Sequence, residues 1–357
     1  MKYSLEQLIQ QKILILDGAM GTMIKKHKLQ ESDYSGERFK EHPMLQKGNN
    51  DLLSLTKPEI IKGIHREYLE AGADIITTNT FNSNRISMSD YGMESEVYNL
   101  NLHSAHLAVE AITEFENSSE PEEHYIAGTL GPTNRTASMS SDVDDPGARA
   151  ISFDELAEAY SEQARGLIDG GVHILLIETI FDVLNCKAAL FAIDSVFEEK
   201  GIILPVMVSG TITDASGRTM TGQTLEAFMV SVSHFPLFSI GLNCALGAEQ
   251  LRPFVEELSS KTGFYVSAHP NAGLPNQFGE YDQSASFMAS IAEDFMREGW
   301  VNIIGGCCGT TPQHIQKIAE ASKLYKPSVR PDIKKYTRLS GLEVLTITPE
   351  TNFVNIG

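Results

Sequence analysis

A chain of 357 residues with 42% hydrophobic and 21% charged side chains has the composition of an ordinary globular protein able to bury a large core. Its net charge of -19 argues against nucleic acid or an anionic membrane surface as partner, because both are polyanions. Four cysteines, Cys186, Cys244, Cys307 and Cys308, are too few and too clustered for a disulfide scaffold. In a reducing compartment such a set points to metal binding or catalysis.

Near the start, the apolar run 13–16 is far too short for a signal peptide or a membrane span. No other segment reaches that length, so a cytoplasmic protein without a membrane partner is expected. In chain order, apolar runs bounded by glycine, proline and polar turns fall at 13–16, 74–78, 125–129, 172–177, 206–209, 239–243, 265–268 and 301–304. Most lead into a segment of helical period, among them 58–71, 153–167, 225–233, 248–259 and 312–322. Ser152 followed by Glu155 offers a capping box, and Thr311-Pro312 puts proline at the first helical position. Eight strand–helix units predict an α/β fold, a (β/α)8 TIM-type barrel with its active site at the C-terminal mouth of the strands. Strand counting alone leaves an open, doubly wound sheet as the alternative.

The barrel is expected to occupy residues 1–325. The loop 131–151 is long and polar, which suits either a cover over the mouth or a surface insertion. From Lys326, with Pro327 and Pro331 close behind, the chain reads as an ordered linker over 326–357, ending in a strand-like apolar run at 352–356. The natural protein is expected to continue beyond Gly357.

Cys244 follows the sixth strand in GLNCA, and Cys307 and Cys308 follow the eighth in GGCCGT. On a barrel both lie at the mouth, two strands apart. Flanking Gly305, Gly306 and Gly309 are expected to supply the unusual backbone angles that let neighbouring sulfurs converge. Three thiolates with an open fourth position make a catalytic zinc site. A thiol joining as fourth ligand loses its proton yet keeps electron density on so anionic an ion, so this set suits thiolate alkylation. Cys186, without glycines, reads as core packing.

Asp17 closes the first strand in DGAMGT and Glu178 the fourth in IET, two carboxylates placed to hold an ammonium group. The turn after Asp17, with Ala19, Met20 and Gly21, offers backbone N–H groups to a carboxylate. Together they describe an amino-acid site, although each acid alone is equally compatible with a helix N-cap. Asn271, after the seventh strand, can fill the open metal position with its amide oxygen when substrate is absent. His269 reads as structural, and 77–80 is expected to line the pocket. No Walker loop, GxSxG elbow, HExxH or strand-linked GxGxxG occurs.

These residues resemble the homocysteine S-methyltransferase family. The resemblance rests on DGAMGT at 17–22, GADIITTNTF at 72–81, GTLGPT at 128–133, ETI at 178–180, GLNCA at 241–245 and GGCCGTTPQHI at 305–315, and covers about the first 325 residues. It implies Zn2+ held by Cys244, Cys307 and Cys308, with the homocysteine ammonium near Asp17 and Glu178. Within the family, 131–156 and the closing RLSGLEVL and NFVNIG segments are most similar to the cobalamin-dependent members. That implies methylcobalamin as donor, on a cobalamin-binding domain elsewhere in the full-length protein, and a folate-binding domain after the linker. No DxHxxG segment occurs, so this chain is not expected to hold cobalamin itself. Alternatives are a stand-alone methyltransferase using betaine, S-methylmethionine or S-adenosylmethionine, and a non-catalytic redox sensor built on Cys307 and Cys308.

Overall fold

The computed structural model describes residues 4–117, 123–213, 216–277 and 279–354. Eight parallel strands form one sheet: β1 (Leu14–Ile15), β2 (Ile75–Thr77), β3 (Tyr125–Leu130), β4 (Ile174–Ile180), β5 (Val206–Gly210), β6 (Ser239–Gly247), β7 (Tyr265–Asn271) and β8 (Ile303–Ile304). Their order is β1-β8-β7-β6-β5-β4-β3-β2. The two ends meet through a parallel bridge between Leu16 and Ile75, with Asp17 N donating to Ile75 O (3.0 Å) and Asp74 N to Ile15 O (2.8 Å). That closure makes the sheet a (β/α)8 barrel rather than an open sheet.

Side-chain alternation builds two cores. Leu14, Leu16, Ile75, Ile174, Leu176 and Ile303 point inward and form an interior cluster. The capped helix Leu5–Gln11 adds Leu5 and Ile9 to it, plugging the end where Tyr125 and Tyr265 begin their strands. The opposite faces of the same strands, Ile13 and Ile15 among them, pack against the outer helices in the larger cluster. The helices Pro58–Glu70, Phe153–Asp169, Leu225–Val232, Ala248–Lys261 and Pro312–Ser322 match expectation within two residues. Ser152 makes the expected capping box and Pro312 opens its helix.

Three strands run three or four residues past their expected ends, and all three lead into the mouth. β4 and β6 do so through register shifts, at 177–180 and 243–247. Such bulges bend a strand and re-aim its side chains. β7 continues through Asn271, paired with Gly247.

The tail is ordered against the barrel. Ser328 exchanges hydrogen bonds with Val301 O (3.1 Å) and Asn302 Nδ2 (2.8 Å), and the Arg330 guanidinium stacks over Tyr265 at 4.3 Å. A hairpin of β9 (Thr337–Ser340) and β10 (Val344–Ile347) then docks on the helix Leu225–Val232. Ser340 Oγ donates to Ala227 O (2.8 Å), and Leu342 O accepts from Thr224 N (3.0 Å). The strand expected at 352–356 does not form over 352–354, and 355–356 lie outside the described residues. Pairing decides this: 337–340 and 344–347 have each other as partners. Among the described residues, no helix is long and apolar enough to cross a membrane.

Candidate active site

A cavity of about 790 Å³ opens at the C-terminal mouth, and Asp17, Glu178, Cys244, His269, Cys307 and Cys308 all border it. Thr77, Thr78, Asn79 and Thr80 line it as expected. The 131–151 loop does not. Asp182 accepts from Ser138 N (3.0 Å) and Ser138 Oγ (2.6 Å), and Asn185 Oδ1 accepts from Ala137 N (3.0 Å). These bonds pin that loop beside the helix Val183–Lys200.

The β6 bulge sets Cys244. Cys244 and Ala245 occupy the left-handed region at φ +59° and +54°, as does Thr179 at +58° after the β4 bulge. A β-branched residue there is a true outlier, and such strain persists only where surroundings impose it. Asn243, fully buried, imposes much of it. Its Oδ1 accepts from Thr179 N (3.0 Å) and Ser209 Oγ (2.7 Å). Its Nδ2 donates to Thr179 Oγ1 (2.8 Å) and Glu178 Oε2 (3.2 Å), and lies 3.8 Å from Cys307 Sγ. One amide thus ties the β4 carboxylate to the thiols.

The Cys307–Cys308 turn is positioned differently. Cys307 N donates to Pro270 O (2.8 Å), and Cys308 O accepts from Ala272 N (2.9 Å), so the turn is laced to β7 on both sides of Asn271. Of the three flanking glycines only Gly309 has positive φ, at +80°. This corrects the expectation for Gly305 and Gly306. They serve close approach: a Cβ would lie 2.6 Å from Leu16 O at 305 and 2.5 Å from Thr310 Cγ2 at 306. A Cβ on Gly309 would sit 2.2 Å from that of Tyr281.

The three sulfurs lie within 4.8 Å of one another, with Cys244 Sγ and Cys308 Sγ 3.8 Å apart. A tetrahedral zinc with Zn–S of about 2.3 Å separates its sulfurs by about 3.8 Å, so the donor set fits such an ion. Asn271, on β7 beside that turn, is buried with Oδ1 lacking any hydrogen-bond partner, and it is not among the residues that border the cavity. Hydrogen bonds from Cys244 and Cys307 draw the Cys308 thiol well below its ordinary range, while the same bonding pushes Cys307 up. Tyr281 borders the same cavity, its ring against Gly309. Cys186 is buried in the core and pushed up to about 12 by burial, in keeping with packing.

Both carboxyls lie at the mouth. Asp17 accepts from Thr77 N (2.8 Å) and Thr77 Oγ1 (3.0 Å), yet burial raises it to about 8. Glu178 is raised to about 8 by burial and then by the neighbouring Asp17 and Cys308. His269 Nδ1 stands 3.9 Å from Glu178 Oε2, but burial lowers the ring to about 3, so it is neutral and brings no charge. Its Nε2 is buried without a hydrogen-bond partner, and the residue lines the cavity wall. Ala19 N already donates to Thr310 Oγ1 (3.1 Å). The helix Met20–Lys26 has no side-chain cap, so Met20 and Gly21, also on the cavity, carry first-turn N–H groups without an intrahelical acceptor.

Sequence reasoning missed Asn243, Tyr281 and Thr310. Asn243 stood inside the GLNCA motif, where its place beside Cys244 was a usable signal. Tyr281 had none, since it reaches the site from the segment between β7 and the helix Ala285–Arg297.

A closed (β/α)8 barrel gathering three thiols and two carboxyls, Asp17 buried and Glu178 partly so, at its mouth belongs to the class of metal-capable, thiol-handling enzymes. A family model described as homocysteine S-methyltransferase matches residues 14–322, and the chain belongs to that family of methyltransferases. Similar solved structures include the homocysteine methyltransferase MmuM from Escherichia coli. Its oxidized form is 20% identical over 88% of this chain and 98% of that one, with a TM-score of 0.70. Its metallated form is 21% identical over 89% and 99%, with a TM-score of 0.69. At that identity the likeness is one of fold.

Proposed function

We propose that this chain is a zinc-dependent homocysteine S-methyltransferase module of the methionine synthase type, in which the homocysteine thiolate takes a methyl group from methylcobalamin to give methionine. The observation that carries the reading is one cavity holding three sulfurs within 4.8 Å and the carboxyls of Asp17 and Glu178. Cys244, Cys307 and Cys308 would hold the ion. When bound, zinc lowers the pKa of a thiol that joins as fourth ligand, keeping it ionised and nucleophilic.

The other residues bind and orient the amino acid. Asp17 and Glu178 ionise against the substrate ammonium, whose charge offsets the burial that keeps them protonated when alone. Met20 and Gly21 offer N–H groups to the carboxylate, beside Ala19. Asn243 holds Glu178 and the thiols in one frame. Asn271 Oδ1 fills the fourth position without substrate, which accounts for its lack of any other partner. With the thiol already deprotonated, methyl transfer needs no general base.

Two features favour a large donor delivered by another domain. The cavity far exceeds one homocysteine, and the 131–151 loop is pinned aside by Asp182 and Asn185 rather than folded over the mouth. In this reading cobalamin-binding and folate-binding domains of the same full-length protein are the partners, with 326–357 as the linker after a barrel of residues 1–325. The zinc-loaded protein is assayed for methionine from homocysteine with methylcobalamin, betaine, S-methylmethionine and S-adenosylmethionine supplied separately. Turnover with methylcobalamin is expected; turnover confined to a small donor sinks the donor assignment, and turnover without metal sinks the zinc assignment.

A further inference from the structure

Resting on that zinc–homocysteine reading, the substrate ammonium brings three N–H donors into the mouth, and Asp17 and Glu178 answer for two of them. An ammonium buried with one N–H left over is costly, so the site needs a third acceptor.

His269 stands in the same wall. On β7 its side chain alternates with that of Ala268 and points into the barrel, as Tyr265 does in the interior cluster. In register it faces Asn243 of β6, the residue whose amide holds Glu178. It is buried and borders the cavity. Its Nε2 is sealed without a hydrogen-bond partner, which leaves Nδ1 as the ring's available polar atom. Nδ1 stands 3.9 Å from Glu178 Oε2, too far for a hydrogen bond, and among the described residues no donor reaches it.

Two acceptors at that spacing suit one cation shared between them. An ammonium nitrogen about 2.9 Å from each would subtend an angle of about 85°, somewhat inside the tetrahedral angle between its N–H bonds.

We propose that His269 is a binding residue for the homocysteine ammonium, accepting one N–H at Nδ1 beside Glu178 Oε2. An imidazole that accepts there carries its proton on Nε2. The ring thereby helps the site choose an α-amino thiol over a thiol of equal length without the amine.

The probe is 4-sulfanylbutanoate, which is homocysteine without its amino group. Binding of both thiols to the zinc-loaded protein is measured by calorimetry in wild type, His269→Phe and His269→Asn. Phenylalanine keeps a ring and loses the acceptor, whereas asparagine returns an amide oxygen close to the Nδ1 position. Loss of one hydrogen bond to a charged group predicts that the preference for homocysteine falls roughly tenfold in His269→Phe. Affinity for 4-sulfanylbutanoate and zinc content are expected to stay unchanged, and most of the preference to return in His269→Asn. If phenylalanine is not accommodated, His269→Leu reads the same loss. An unchanged preference, equal weakening of both thiols, or an asparagine variant no better than phenylalanine each overturns the proposal. Wild type that binds the two thiols alike defeats the underlying amino-acid reading instead, so the two failures are distinguishable.

Discussion

The two arms of the thiol cage reach the same point by opposite means. The β6 arm bends through a bulge and holds Cys244 and Ala245 in left-handed backbone without a glycine, under constraint from the saturated bonds of Asn243. The β8 arm uses glycine wherever space or conformation is short, and is laced by backbone bonds to Pro270, Ala272 and Asp17. One arm therefore stores strain and the other avoids it. Metal-site geometry needs only that both be over-determined by their neighbours.

The largest break in this pairing comes from removing a sulfur. Cys308→Ala is expected to lose zinc and to lower methionine formation roughly a thousandfold or more, beyond the ten- to hundredfold effect of deleting a ligand's supporting partner. Metal content and turnover measure it, with circular dichroism unchanged; a variant that keeps zinc and rate would undo the cage. Next comes the unstrained arm. Gly309→Ala puts a side chain at φ +80° and into Tyr281, so a loss of about 3 kcal/mol is expected in urea unfolding. Stability equal to wild type would show that this arm does not depend on glycine.

Asp17, whose carbonyl oxygen accepts from Gly306 N (3.1 Å), links the β8 arm to the substrate. Asp17→Asn is expected to raise the homocysteine KM about 30-fold, from loss of a charge-assisted contact of about 2 kcal/mol. It should also stabilise the ligand-free, metal-free protein. The folded carboxyl titrates near 8 and the unfolded one near 3.8. Between those values the unfolded chain has released the proton and the native state has not, so stability falls as pH rises through this window. The gain in melting temperature should therefore be larger at the upper end of the window than at the lower. A gain independent of pH would exclude a buried, protonated Asp17.

The smallest effect tests the strained arm. Ala245→Gly releases about 1 kcal/mol of left-handed strain, partly offset by the freedom glycine gains when unfolded. A net stabilisation of about 0.5 kcal/mol is expected in urea unfolding. A clear destabilisation would mean that the Ala245 methyl group packs usefully and the arm is not strained.

Much of this protein could be read in advance. The eight strands stood out because a closed barrel buries both faces of each strand, which writes short, continuous apolar runs such as 13–16 and 301–304. Cys244, Cys307, Cys308, Asp17 and Glu178 were visible for a related reason: each follows such a run directly or within four residues, where a buried strand delivers its next residues to the mouth. The hairpin at 337–347 was not visible, because its residues are half-buried or exposed without alternation, carry no burial pattern, and pair only when the helix Leu225–Val232 offers them a surface.

What the amino-acid order determined by itself was the eight strand–helix units, the chemistry of the donors and the strand end to which each belongs, since these follow from local apolarity and residue type. What only the tertiary structure decided was aim. The bulges that prolong β4 and β6, the left-handed turn at Cys244, the Asn243 bridge and the approach of Tyr281 over Gly309 all arise from contacts between segments distant in sequence. Their physical cause is close packing, in which one segment's shape sets another's backbone angles, and no local pattern records that dependence.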